Sequence, residues 1–139
     1  MSLKKKEFVQ SIMTKDPITV STQNKLKDVY NIMKEHSIRH VPVVSGDELI
    51  GIISQSDIER VTYVEEGLDE HIRSAFIDML RIDQVMTRNV NVLQVDDSIK
   101  EAAEILSMGS YHALPVLDEK KLVGILTTTD LINYLLKHY

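Results

Sequence analysis

The chain has 139 residues, 43% of them hydrophobic and 27% charged, with a formal net charge of -5 and no cysteine. Without thiols it has no disulfide, no thiol nucleophile and no zinc–thiolate site, and nothing in it requires an oxidising compartment. Lys and Arg are dispersed, so no basic stripe offers an extended nucleic acid its phosphate contacts.

Lys4, Lys5 and Lys6 precede only two apolar residues, Phe8 and Val9, before Gln10 and Ser11 intervene. That pattern is too short for an export signal. The apolar runs elsewhere fall far short of the roughly 20 residues that span a bilayer, so the expected location is cytoplasmic. Phe8, Val9, Ile12 and Met13 recur at helical spacing and predict a short leader helix over residues 4–13, ended by Pro17. Ile18 to Val20 reads as a short strand. Leu26, Val29, Tyr30, Ile32 and Met33 then predict an amphipathic helix from about Lys25 to His36. Val41-Pro42-Val43-Val44 and Leu49 to Ile53 flank the turn residues Ser45-Gly46-Asp47, which predicts a hairpin. Proline lacks a donor, so Pro42 belongs near a sheet edge or where its nitrogen meets no partner. A second helix follows from Gln55 to about Glu65.

Leu68, Ile72, Ala75, Phe76, Met79 and Leu80 predict a connecting helix within residues 67–83. After it the plan returns. Asn91 to Leu93 is a strand, Ser98 and Glu101 have capping-box spacing, Leu114 to Leu117 and Lys121 to Leu126 form a hairpin, and Leu131, Ile132, Leu135 and Leu136 mark a last helix. Each unit is β-α-β-β-α. Neither bridging segment is rich in Pro or Gly, so no flexible linker is expected, and the sequence divides at 1–66 (leader and first repeat) and 67–139 (connecting helix and second repeat).

Shifted by seventy-three residues, Ile12–Ile58 aligns on Val85–Leu131 without a gap and with eleven identities in forty-seven positions, which marks an internal repeat. The strand-to-helix junction carries the match: Gly51-Ile52-Ile53-Ser54-Gln55-Ser56-Asp57 returns as Gly124-Ile125-Leu126-Thr127-Thr128-Thr129-Asp130. A hydroxyl at the N-cap and an acid three residues on satisfy orphan amides, so capping alone accounts for Ser54-Asp57 and Thr127-Asp130. The same groups fit a ligand. A carboxylate accepts both hydroxyls of a ribose diol, while the hydroxyl and helix N-terminus face a phosphate.

Two such units, each with a proline-bearing apolar strand followed by G-h-h-[ST]-x-x-D (h, apolar), resemble a pair of CBS domains, the Bateman module, over Ile12 to about Leu136. The resemblance implies an α/β fold with two repeats about a pseudo-twofold, sheets face to face and helices flanking. It further implies a stand-alone regulatory module that binds AMP, ADP, ATP or S-adenosylmethionine in clefts between the repeats, commonly as a homodimer. Its output would be a change in dimer geometry or in binding to an unidentified protein effector. By that resemblance Asp57 and Asp130 bind ribose; Ser54, Thr127, Arg39, His40 and His112 reach phosphate; and Ile18, Thr19, Val41, Val43, Val92, Leu114 and Val116 line adenine. Ala113 stands where repeat one has His40, so phosphate binding is expected to be asymmetric.

His36 and His40 do not share a helix face, which argues against a metal, and no cofactor is implied. The acidic run Glu65, Glu66, Asp69 and Glu70 reads as a solvated face. Names such as inosine-monophosphate dehydrogenase attach to this resemblance, but the chain has no room for a barrel of about 250 residues. No enzyme activity is expected. The alternative is a dimerisation scaffold with empty clefts.

Overall fold

The computed structural model describes residues 7–63 and 69–139. In chain order they form a 3-10 turn (Val9–Ser11), β1 (Thr14–Lys15), α1 (Leu26–His36), β2 (His40–Ser45), β3 (Glu48–Ser54), α2 (Gln55–Tyr63), α3 (Glu70–Met79), α4 (Ile82–Val85), β4 (Leu93–Gln94), α5 (Ile99–Ser107), β5 (Ala113–Asp118), β6 (Lys121–Thr127) and α6 (Thr128–Lys137). The protein is mixed α/β, with β-strands flanked by helices. Lys4 to Lys6, Glu65, Glu66, Gly67 and Leu68 lie outside the described residues.

Two compact units emerge, one of residues 18–90 and the other of residues 91–139 together with the leader up to Pro17. In the first, β2 and β3 are an antiparallel hairpin with His40 opposite Ser54. Val20 bridges Val43 in parallel on the outer side of β2, and Thr87 bridges Ile52 on the outer side of β3. Val29, Val41, Val43, Ile53 and Ile82, all with no exposed surface, centre its core. Lys25 N–H donates to Asp28 Oδ2 at 2.9 Å and starts α1. Ser37, with φ of 54°, ends it in the left-handed conformation.

The second unit repeats the plan with parts from both ends of the chain. β5 and β6 pair antiparallel with Ala113 opposite Thr127, β4 joins β5 in parallel, and β1 of the leader joins β6 through Thr14 opposite Ile125. Val9 and Leu114, fully buried, sit with Leu93, Ala102, Val116 and Leu126 in its core. The leader that the sequence division grouped with repeat one therefore completes the sheet of repeat two. Residues 82–90 do the converse for repeat one. Proximity in sequence favours one grouping, whereas backbone pairing and burial set the other.

Smaller departures have local causes. The expected leader helix is one 3-10 turn, with Val9 N–H donating to Asp97 O at 2.9 Å, and the strand expected at Ile18–Val20 is a single bridge. The connecting helix breaks at Leu80 and Arg81, whose extended backbone separates α3 from α4. Both hairpins turn through a residue with positive φ, Gly46 at 62° and Glu119 at 59°. On α6 the expected packed stripe is only partly packed: Leu131 meets the core while Ile132, Leu135 and Leu136 are exposed.

Candidate functional site

Each unit places its motif where an antiparallel strand runs directly into a helix. In the first, β3 ends on Ser54 and α2 begins on Gln55. Ser54 Oγ accepts from the Asp57 N–H at 3.1 Å, and Asp57 Oδ2 accepts from the Ser54 N–H at 2.9 Å. The box is closed on both sides. Asp57 is 6% exposed, and its other oxygen, Oδ1, accepts from Arg60 Nη2 at 2.7 Å. Gln55 N–H donates to Arg39 O at 2.8 Å, which ties the start of β2 to the start of α2. Arg39, His40, Ser54 and Asp57 are thereby gathered at one end of the hairpin, with Arg39 exposed and His40 half-buried.

The second unit builds the same corner. Thr127 Oγ1 accepts from the Asp130 N–H at 3.1 Å, and Asp130 Oδ2 accepts from the Thr127 N–H at 2.9 Å. Thr128 N–H donates to His112 O at 3.0 Å, and its hydroxyl reaches the same carbonyl at 3.3 Å. His112 is exposed and Asp130 half-buried. Asp130 forms no salt bridge among the described residues. Asn133 stands at the position of Arg60. Sequence reasoning passed over Arg60, although its spacing of three from Asp57 on a helix was the available signal.

The apolar residues divide. Val41, Val43, Leu114 and Val116, expected to line adenine, have no exposed surface and belong to the cores. The reason is that β2 and β5 are buried on both faces: Pro42 is fully buried and Pro115 buried beside those residues. Ile18, 36% exposed, and Thr19 precede the Val20 bridge, where Val20 N–H donates to Pro42 O at 3.1 Å, and Val92 is half-buried just before β4. These three keep accessible side chains. Among the described residues no group of three or more His, Asp or Glu could hold a metal ion, and no helix is long and apolar enough to cross a membrane.

The doubled corner and the two matching hairpins define a tandem-repeat protein with one equivalent strand-to-helix corner per repeat. A family model of the CBS domain matches residues 9–62 and again 82–137, so the chain belongs to the CBS domain family and carries a pair of its domains. It is 31% identical to the uncharacterized protein MJ1225 of Methanocaldococcus jannaschii over 92% of this chain and 47% of that protein. It is 30% identical to the homoserine O-acetyltransferase of Methanosalsum zhilinae over 94% of this chain and 24% of the enzyme. The chain thus spans about half of the one relative and a quarter of the other. Among solved structures, the CBS domain pair of protein MJ0100 in complex with 5′-methylthioadenosine and S-adenosyl-L-methionine matches with a TM-score of 0.82 at 26% identity, over 97% of this chain and all of that one.

Proposed function

We propose that this CBS pair is a regulatory sensor that binds an adenosyl ligand of the AMP, ADP, ATP or S-adenosylmethionine type at the corners of Asp57 and Asp130, without transforming it. The observation that carries the reading is the doubled corner: in each repeat a carboxylate, a hydroxyl and a helix N-terminus are held within one hydrogen-bonded turn, beside Arg39 and His40 or beside His112. A ribose diol donates to the carboxylate, and a phosphate meets the helix N-terminus and the basic side chains. The ligands in the MJ0100 complex, both adenosyl compounds, support that chemistry. The output is a shift of dimer geometry or of affinity for a protein effector, since a ligand biases an equilibrium only by binding one state better. Ile72, Phe76 and Met79 on α3, exposed together with Ile132, Leu135 and Leu136 on α6, supply apolar surface for a homodimer. The setting proposed is the cytoplasm.

One observation favours a second reading, a scaffold that binds nothing: both aspartates already serve as helix caps, so the motif is stable as it stands. Thermal denaturation of the protein with AMP, ADP, ATP, NAD, S-adenosylmethionine, 5′-methylthioadenosine or cyclic dinucleotides separates the two. A ligand at about 100 times its dissociation constant adds about 2.7 kcal/mol, several degrees for a domain of this size. The sensor reading expects such a shift, reduced by Asp57→Ala or Asp130→Ala. No shift with any of these ligands leaves the scaffold.

A further inference from the structure

The two corners share a backbone plan but not their electrostatics. Asp57 has both oxygens engaged by protein, Oδ2 by the Ser54 amide and Oδ1 by the Arg60 guanidinium. Asp130 has Oδ2 engaged by the Thr127 amide in the same way, while the place of Arg60 is taken by the uncharged Asn133, which is exposed. The oxygen that Arg60 holds is therefore the one not used by the cap, the one that an incoming diol would address. The Asp57 side chain is only 8% exposed, whereas the Arg60 side chain is 65% exposed. A guanidinium on a flexible, solvated stem can leave for water at modest cost, because a partly exposed ion pair is weak.

We propose that Arg60 is a latch on the first site, so that an adenosyl ligand engages Asp130 before Asp57 and fills the Asp57 corner only as Arg60 releases Oδ1. This rests on the adenosyl-binding reading above and adds to it an order of filling. Arg60 acts here as a positioning residue through Asp57. The latch makes a two-site sensor respond over a wider range of ligand concentration than two equal sites would.

The test uses 5′-methylthioadenosine, which is uncharged and gives Arg60 no phosphate to meet, in calorimetric titrations of the full chain with one corner disabled at a time. The Asp57→Ala chain, with the Asp130 corner intact, is expected to bind about three- to fivefold more tightly than the Asp130→Ala chain, the scale of a partly exposed ion pair. Arg60→Asn in the Asp130→Ala chain should recover that factor, with Arg60→Lys intermediate. Asn133→Arg in the Asp57→Ala chain should lose it, a transfer of the latch that no loss of folding imitates. If Arg60→Asn leaves binding at Asp57 unchanged or weakens it while the parent protein binds, the latch is wrong and the sensor reading stands. If the parent protein and all variants bind none of 5′-methylthioadenosine, S-adenosylmethionine, AMP, ADP and ATP, both fall together.

Discussion

Met86 and Met13 occupy the space in which a side chain at Gly51 or Gly124 would begin, each sulfur lying against its glycine. An alanine at either position pushes a methionine aside, and at Gly51 the new methyl also meets the Thr87 carbonyl oxygen, 3.0 Å away, which is backbone and cannot rotate out. Overpacking of this kind costs about 1–3 kcal/mol. Gly51→Ala should therefore sit near the top of that range and Gly124→Ala near the bottom, as measured by urea unfolding; the reverse order would contradict the packing at Thr87. The glycine of the motif was legible in the sequence as a repeated position, and so were Ser54, Asp57, Thr127 and Asp130 as caps. The methionine against each glycine was not, since Met13 and Gly124 are far apart in the chain. The burial of Val41 and Leu114 escaped for a related reason: a run of apolar residues does not say whether one face of its strand or both are covered.

At the scale of elements, the leader is the informative piece. Its periodicity suggested a helix, but the chain there makes one 3-10 turn and then the two residues of β1, held by Thr14 opposite Ile125 and Lys15 opposite Gly124. Val9 is fully buried among Leu93, Ala102 and Leu114. At its foot Tyr134 of α6 is hydrogen-bonded to Glu7, whose carboxylate holds the phenol pKa above its ordinary value. Val9→Ala should cost about 2 kcal/mol, the value of burying a valine side chain. The loss should appear in amide exchange as faster opening of β4, β5 and β6, with β2 and β3 less affected. Equal loss of protection in both hairpins would contradict the assignment of the leader to the second unit. Sequence periodicity identified the helices and hairpins because those contacts are local. It could not tell which hairpin a two-residue strand would join, because a strand that short carries no register information of its own.

For the whole molecule, the exposed apolar side chains of α3 and α6 set the expectation. Ile72, Met79, Leu135 and Leu136 are each more than half exposed, which a solvated helix face does not require. The homodimer proposed above predicts sedimentation at twice the 15.9 kDa chain mass. Leu136→Glu or Ile72→Glu should move the protein toward the monomer while preserving its far-UV circular dichroism. A monomeric parent protein would remove the dimer from the proposal without touching the nucleotide sites. The apolar spacing of both helices was plain in the sequence; which of their residues face outward was not, because the same stripe serves packing within a chain and between chains.

The exchange of leaders also sets a timetable for synthesis. Every residue of the unit 18–90 emerges from the ribosome in one continuous stretch, so that half can close as soon as Val90 clears the exit tunnel. The other half cannot: Thr14 is made before the unit 18–90, yet the strand that pairs with it, β6, is made more than a hundred residues later. Until then β1 has no strand to pair with, and at about 5–20 residues per second that interval lasts several seconds or more. Residues 8–15 thus wait for partners made much later in the chain, which exposes that stretch of the nascent protein to chaperones and to misassociation.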